Sequence, residues 1–177
     1  MKGGSKMKQY KIGLVLGRFQ GVHFGHESII EHALALCEEV LVFIGSSDKS
    51  GTKENPFPYE LRYNMLHDIY KDSIHIYPLP DLGVGNVPKW GDYVIENAIK
   101  VLGKPDLIIY GEEPKLNTWY KNYSELSYIS IDRKLVPIDG TTLRGYIKKN
   151  KREEFEKYTN PLIHKYFDEL KKYLMEV

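Results

Sequence analysis

The sequence is poor in three features that place proteins in specialised classes: cysteine, long hydrophobic runs and an excess of charge of one sign. Its single cysteine, Cys37, excludes an intramolecular disulfide. A chain without such cross-links fits a reducing, intracellular compartment. Cys37 itself lies in the apolar stretch ALALCEEV, and we expect it to be a small core residue.

No hydrophobic run in the sequence approaches the roughly 20 residues that a membrane-spanning helix requires. The basic start of the chain, MKGGSKMK, is not followed by the apolar segment of a secretory signal. We therefore expect a cytoplasmic protein without a membrane partner. Residues 1–9 are expected to form a flexible tail and residues 10–177 a single domain, which is long enough to bury a sizeable core.

The formal net charge of the chain is only +1. Proteins that bind nucleic acid surround the strand with a positive field, and this composition does not supply one. No nucleic-acid partner is therefore expected. A site for a small anionic ligand would have to be built locally.

Apolar, β-rich segments alternate with segments of helical spacing along most of the chain. Strands are predicted at 10–17, 40–45, 73–79, 105–111 and 128–131, and helices at 27–37, 59–70, 92–102 and from 141 to 177. This alternation predicts a doubly wound α/β fold: a mostly parallel sheet with helices on both faces, and C-terminal helices packed on it. Polar and glycine-rich segments follow four of the strands. In such a fold they meet at the carboxyl edge of the sheet, where we expect a ligand crevice.

The stretch LGRFQGVHFGHESI, residues 16–29, carries more polar chemistry than a turn requires. His23 and His26 flank Gly25 just before a predicted helix, whose free N–H groups attract an anion. Their imidazole N–H groups would donate to phosphate oxygens, and protonated rings would also neutralise charge. Arg18 adds a guanidinium group suited to phosphate or carboxylate. The stretch therefore predicts a phosphate site.

Other interpretations of this stretch fit less well. Zinc needs further ligands near His23 and His26, and both Cys37 and His32 lie away from the pair. The stretch is neither a GxGxxG loop nor a Walker A loop, so it does not favour a dehydrogenase or a kinase.

A second segment, PIDGTTLRGYIKK at 137–149, predicts another helix start. Asp139, Thr141 or Thr142 can cap that helix, and Arg144 then lies in its first turn. Taken alone, this is an ordinary capped helix. Together with the first stretch it supplies two helix N-termini with cationic or imidazole donors, which suit a polyphosphate held between them.

These two segments resemble the signatures of the nucleotidyltransferases that carry an HxGH motif. Within that superfamily, the chain is most similar to the archaeal-type nicotinamide-nucleotide (NMN) adenylyltransferases, over roughly 11–149. The matching residues fall in four segments: Gly17, Arg18, Phe19, Gln20, His23, Gly25 and His26; Ile44, Gly45, Ser46, Asn55, Pro56 and Phe57; Asp81, Asn86 and Trp90; and Ile138, Thr141, Leu143 and Arg144.

The resemblance implies a Rossmann-like enzyme, a homo-oligomer, that transfers AMP from ATP to the 5′-phosphate of NMN and releases pyrophosphate. It implies Mg²⁺ held by phosphate oxygens and water, with no metal ligands from protein side chains. The implied catalytic residues are His23, His26, Arg144 and Arg18. The implied ATP-binding residues are Gly17, Arg18, Phe19, His23, Gly25, His26, Gly111, Thr141, Thr142 and Arg144, and the implied NMN-binding residues are Gln20, Ser46, Asp81, Asn86 and Trp90.

The chain departs from the family pattern at two places. Gly21 and Val22 stand where relatives place Pro-Phe, which is expected to loosen the turn. Asp139 stands in place of a serine, and it either caps the helix or changes how a triphosphate or metal is held.

Alternative functions remain at this stage. A cytidylyltransferase, a pantetheine-phosphate adenylyltransferase or an FAD synthetase would share the histidine motif and differ in the acceptor pocket. A regulatory module that binds ATP or NAD without turnover would share the fold, since a fold does not guarantee an activity. The sequence also leaves open whether the acceptor is the amide or the acid form of the pyridine mononucleotide.

Overall fold

A five-stranded, entirely parallel sheet forms the centre of the molecule. The computed structural model describes residues 7–83, 87–111 and 119–177. The strands are β1 (Tyr10–Gly17), β2 (Cys37–Gly45), β3 (His75–Leu79), β4 (Leu107–Tyr110) and β5 (Ser127–Ser130). They lie in the order β3-β2-β1-β4-β5. The chain runs outward from β1 on one side and then returns to build the other side, so the doubly wound α/β fold is confirmed.

Helices connect the strands and close the molecule at its C-terminal end. The α-helices are α1 (Phe24–Leu36), α2 (Tyr59–Tyr70), α3 (Val87–Val101), α4 (Gly140–Lys148), α5 (Arg152–Lys157) and α6 (Phe167–Met175). Short 3₁₀ turns lie at Lys71–Ser73, Arg133–Leu135 and Pro161–Tyr166. Among the described residues, none of the helices combines the length and hydrophobicity needed to cross a bilayer.

The buried side chains form one hydrophobic cluster on each face of the sheet. The larger cluster packs α1, α2, α4 and α6 against β1 and β2, and Cys37 lies in it as the predicted core residue. The smaller cluster packs α3 against the other face through Val94, Ile95 and Ala98. Both faces are therefore covered, which explains why the strands read as continuous apolar runs without polar alternation.

Several predicted boundaries were wrong. Strand β2 begins at Cys37, three residues before the predicted start at 40 and inside the predicted helix 27–37. Helix α1 begins at Phe24 instead of residue 27, because His23 caps it through its own side chain. Helix α3 begins at Val87, earlier than the predicted residue 92, despite the glycine at 91. The segment Pro161–Tyr166 is 3₁₀ instead of α-helical, with Pro161 in its first turn.

The strand order places the crevice of the sheet between β1 and β4. The chain passes from β1 to β2 on one side of β1, and it later places β4 on the other side. The gap between β1 and β4 is therefore the topological switch point, where ligands bind in this class of fold. The loop after β1, the end of β4 and the start of α4 converge there. The sequence predicted that loops would meet at this edge, and the structure specifies which ones do.

Candidate functional site

A cavity of about 510 Å³ opens at the carboxyl ends of β1 and β4. One end is cationic and the other is aromatic. The predicted residues that line it are Gly17, Arg18, Phe19, Gln20, His26, Gly111, Thr141 and Arg144. The cavity is also lined by Asp139, for which the sequence left a ligand role open, and by residues that the sequence did not assign to a ligand: Tyr110, Trp119, Tyr120, Arg133 and Gly140. Its size and mixed lining suit a nucleotide.

His23 and His26 form a reciprocal cap at the start of α1. The His23 Nδ1 atom accepts hydrogen bonds from the main-chain N–H groups of Gly25 at 3.1 Å and His26 at 3.3 Å. The His26 Nδ1 atom accepts from the main-chain N–H of His23 at 3.3 Å. The two rings stack, with centroids 3.8 Å apart. The pair thus satisfies helix N–H groups that would otherwise lack a partner, as a capping box does.

This cap fixes which nitrogen of each ring carries the proton. Because both Nδ1 atoms accept from the main chain, a neutral ring must carry its hydrogen on Nε2. Burial, with the charge of Arg133 as the next largest cause, lowers the pKa of His23 to about 4. Burial likewise lowers the pKa of His26 well below its usual value, with His23 and Arg133 adding to the effect. At neutral pH the two histidines are therefore uncharged Nε2–H donors, not the protonated rings that the sequence left open.

Arg144 lies across the cavity from α1, in the first turns of α4. Its Nη1 donates to the carbonyl of Gln20 at 2.9 Å, which ties α4 to the loop after β1. A side chain on Gly140 would lie 2.8 Å from Nη1, so glycine leaves room for the guanidinium. Burial lowers the pKa of Arg144, and the nearby Arg18 lowers it further. The site thus concentrates positive charge before any ligand arrives.

Asp139 is the N-cap of α4. Its Oδ1 accepts from the main-chain N–H of Thr142 at 2.7 Å, and this hydrogen bond lowers the pKa of the carboxyl. Asp139 also lines the cavity. Of the two roles that the sequence left open for this departure, the capping role is present in the structure. Thr142, predicted to bind ATP, bonds Asp139 through both its main-chain N–H and its side chain, and it is not among the residues that line the cavity.

Arg133 is a cavity residue that the sequence analysis missed. It lies in the 3₁₀ turn after β5, lines the cavity and contributes to the low pKa of both histidines. Its Nε lies 3.1 Å from the point that a Gly111 side chain would occupy, so glycine at 111 admits the guanidinium. No motif marks Arg133 in the sequence. The sequence signal that could have identified Arg133 was its position just after β5, because that strand ends at the same edge of the sheet as β1 and β4.

The loop after β1 is held in a tight, defined shape. Phe19 has a positive φ of 52°, and its buried ring lies 4.8 Å from that of His26. Gly21 has a φ of 99°, which proline cannot adopt, and its N–H donates to the carbonyl of Phe19. Val22 is fully buried. Proline at position 21 could not form this turn, and the expectation that the departure from Pro-Phe loosens it stays a prediction.

Three residues predicted to bind the acceptor, Gln20, Ser46 and Asp81, have side chains that hydrogen-bond neighbouring protein groups. Of the three, only Gln20 lines the cavity. The Gln20 Oε1 accepts from the main-chain N–H of Phe57 at 3.0 Å, and Gln20 Nε2 lies 3.4 Å from Asn55 Oδ1. Ser46 Oγ donates to Asp81 Oδ1 at 2.7 Å. Ser46 and Asp81 are brought together, but neither lines the cavity between β1 and β4. Asn86, predicted with them, lies outside the described residues.

The aromatic end of the cavity is formed by Trp119 and Tyr120, not by Trp90. The Trp90 ring meets Trp119 nearly edge-on, with centroids 6.2 Å apart, and lies 5.5 Å from Tyr93. Trp90 is therefore a neighbour of the cavity wall. Gly91 is required beside it, because a side chain there would lie 1.5 Å from the Trp119 carbonyl oxygen.

A recess of about 50 Å³ adjoins the site on the other side of the histidine pair. His23, Gly25 and His26 form one wall, and Arg133 is shared with the main cavity. The rest of the lining is mixed: it includes the apolar residues Ile29, Ile131, Val136 and Ile138 together with Ser28 and Asp132. Every predicted residue of the HxGH segment thus borders one of two adjacent spaces that share lining residues.

Comparison with known proteins gives consistent results. The chain is 38% identical to a nicotinamide-nucleotide adenylyltransferase of Saccharolobus solfataricus over 88 residues, 46% of this chain and 50% of the relative. It thus spans about half the length of that relative. It is 28% identical to the Picrophilus torridus enzyme of the same name over 160 residues, 88% of this chain and 89% of that protein.

A solved structure has the same fold. The bifunctional NMN adenylyltransferase/ADP ribose pyrophosphatase from Francisella tularensis, crystallised with AMP and a manganese ion, superposes with a TM-score of 0.65 at 27% identity. The match covers 79% of this chain and 42% of that one. The cytidylyltransferase-like family model matches residues 14–170. Because that match includes most of the chain and every element of the site, the protein belongs to the cytidylyltransferase-like family.

Proposed function

We propose that the protein is a nicotinamide-nucleotide adenylyltransferase, which transfers AMP from ATP to the 5′-phosphate of NMN and yields NAD and pyrophosphate. The observation that carries this proposal is the stacked, neutral pair His23 and His26 beside a cavity that also holds Arg133 and Arg144. The named relatives and the Francisella enzyme support the same activity.

The triphosphate of ATP binds between the starts of α1 and α4. His26 and His23 donate from Nε2 to phosphate oxygens, with His26 nearest the α-phosphate. Since the rings are neutral, positive charge comes from Arg18, Arg144 and Arg133. Guanidinium groups suit this task because they stay charged and present several N–H donors to phosphate.

The reaction needs no covalent enzyme intermediate. A 5′-phosphate oxygen of NMN attacks the α-phosphorus of ATP, the bond from that phosphorus to the bridging oxygen breaks, and pyrophosphate leaves with the bonding electrons. The protein positions two anions that repel each other and stabilises the charge that develops on the leaving oxygen. Arg144 and Arg133 supply that stabilisation, while Arg18 bridges ATP and the NMN phosphate.

A divalent cation, Mg²⁺, accompanies ATP in this proposal. In the described part of the chain, no group of three His, Cys, Asp or Glu side chains could hold a metal ion. We propose that the ion is held through phosphate oxygens and water, with the Asp139 carboxylate available at the cavity wall. When bound, the ion offsets the charge of the triphosphate.

The acceptor binds on the side of β1 that faces α3. Gln20, Ser46, Asp81 and Asn86 are the proposed polar contacts to NMN. The nicotinamide ring is a cationic aromatic group, for which an indole face is a favourable surface. Trp90 remains the proposed stacking residue, and Trp119 extends the same aromatic wall into the cavity.

The proposal is tested by measuring pyrophosphate release from ATP and Mg²⁺ with a panel of acceptors. The panel contains NMN, its acid analogue, pantetheine phosphate, FMN and glycerol phosphate. We expect release with a pyridine mononucleotide and none with the other acceptors. Release with another acceptor only would reassign the substrate, and release with none of them would favour a module that binds nucleotides without turnover.

A histidine variant belongs in the same experiment. His26→Ala is expected to lower kcat by about 100-fold or more, the scale seen when a donor to a transition-state oxygen is removed. His32→Ala is the matched control, because His32 lies on the same helix, is exposed and bonds only the Ser28 carbonyl. Equal rates in the two variants would contradict the assignment of His26.

A further inference from the structure

Arg62 is a fully buried cation that neither motif includes. It lies on the buried face of α2, beside Leu61, Met65 and Leu66, and none of its surface is exposed. Lysine and arginine are almost never buried to this extent without a partner. The sequence signal was an arginine in helical register with apolar residues, at positions 62, 65, 66 and 69.

The partners of this guanidinium are main-chain carbonyls. Nη1 donates to the carbonyls of Arg18 at 2.9 Å and Gly45 at 2.8 Å. Nη2 donates to those of Ser46 at 3.0 Å and Lys49 at 3.3 Å. Arg62 takes part in none of the ion pairs found among the described residues. Burial lowers its pKa to about 10, which leaves it charged at neutral pH.

The two carbonyls that share Nη1 occupy equivalent places in two loops. The Arg18 carbonyl precedes Phe19, which has a φ of 52°, and the Gly45 carbonyl precedes Ser46, which has a φ of 48°. Residues with a side chain rarely adopt this left-handed conformation, and they keep it only where surrounding contacts enforce it. Arg62 supplies such a contact at both positions at once.

Each of the two strained residues supports a different half of the site. The Phe19 ring packs 4.8 Å from the His26 ring, on the side proposed for ATP. Ser46 Oγ bonds Asp81 at 2.7 Å, on the side proposed for NMN. Arg18, whose carbonyl Arg62 binds, is the proposed bridge between the two substrates.

We propose that Arg62 is a positioning residue that locks the loops after β1 and β2 into the left-handed turns that align ATP with the acceptor. The inference rests on the proposed adenylyl transfer and deepens it. Arg62 touches no substrate; it acts through the main chain of Arg18 and Ser46. A purely structural role would affect stability alone, whereas this role affects turnover while the protein is folded.

The test compares Arg62→Met and Arg62→Lys with Met65→Ala, a variant of a fully buried residue on the same helix. All are assayed at a temperature where thermal melts show them folded. Arg62→Met is expected to raise the KM for NMN and lower kcat, each by about 10-fold or more. Lysine keeps the charge with three donors, so Arg62→Lys should recover part of the loss. Met65→Ala should lower the melting temperature and leave both constants within about 2-fold.

The outcomes separate this inference from the proposed function. If the wild-type protein releases pyrophosphate but Arg62→Met behaves like Met65→Ala, the positioning role is wrong and the function stands. If Arg62→Met does not fold, Arg62→Lys decides: one ammonium cannot satisfy four carbonyls, so a several-fold rise in the KM for NMN supports the role and unchanged constants overturn it. An inactive wild type contradicts the function itself, and in that case an unchanged Kd for ATP in Arg62→Lys overturns the positioning role.

Discussion

One ring atom, Nδ1, has the same task in both histidines of the site. Because it accepts main-chain N–H groups at the start of α1, each ring presents Nε2–H away from the helix. The motif therefore needs histidine for two reasons: a capping acceptor and a second donor on a rigid ring. Serine or asparagine would cap as well but would not hold a donor at that distance.

The low pKa of His23 makes the stability of the protein depend on pH. In the unfolded chain the His23 ring binds a proton below a pH of about 6.5. In the folded chain the ring stays neutral until the pH falls to about 4. Stability from this neutral ring is thus fully present above 6.5 and is lost as pH falls toward 4. At pH 5 the protonation of His23 in the unfolded chain has lowered the free energy of unfolding by about 2 kcal/mol.

His23→Asn should weaken that dependence, because asparagine caps a helix without titrating. Urea unfolding at pH 7.5 and pH 5 measures it as the loss of free energy of unfolding between the two conditions. The variant is expected to lose about 2 kcal/mol less than the wild type. Equal losses in both proteins would contradict the neutral, buried state of His23.

Arg133 offers a second test at a single side chain. Charge-assisted hydrogen bonds to phosphate are among the strong ones, so Arg133→Ala should raise the KM for ATP by about 10-fold or more. The matched control is Lys134→Ala, the removal of the adjacent exposed cation, which does not line the cavity. That control should change the KM by no more than about 2-fold. Similar constants in the two variants would remove Arg133 from the site.

At the scale of elements, the site is two helix starts brought to one edge of a sheet. The helix α1 is capped by imidazole and α4 by the Asp139 carboxylate. The hydrogen bond from Arg144 of α4 to the Gln20 carbonyl, in the loop that leads into α1, connects residues that are 124 positions apart in the sequence. The phosphates of ATP are therefore proposed to lie between elements that the fold, not the local sequence, places together.

We expect the replacement of glycine by alanine to have opposite effects on the melting temperature at two helical positions, 91 and 145. Gly91→Ala places a methyl group against the Trp119 carbonyl, so α3 must shift and the melting temperature should fall. Gly145→Ala meets nothing within 4 Å in α4, and it should raise the melting temperature by about 2 °C through loss of backbone freedom in the unfolded chain. Thermal melts of both variants check this; a fall in Gly145→Ala or no change in Gly91→Ala would contradict the packing described.

At the scale of the whole molecule, the sequence predicted the features that depend on short, regular spacings of residues. The period of apolar residues located all five strands. The HxGH spacing located the histidine pair beside the cavity, and its binding of phosphate stays a prediction. Arg133 and Trp119 were missed because they reach the cavity from segments without a motif. The burial of Arg62 was missed because its four acceptors are carbonyls, which no side-chain pattern records. The expected homo-oligomer and the tail at 1–9 stay predictions.

We propose that AMP passes directly from ATP to NMN in this cavity, with no prior hydrolysis of ATP. The most direct measurement follows NAD and pyrophosphate together, in one reaction containing the wild-type protein, ATP, Mg²⁺ and NMN. We predict that both products appear at the same rate in equal amounts, and that neither forms when NMN is left out. Pyrophosphate without NAD, or NAD formed as fast by His26→Ala as by the wild type, would contradict the account.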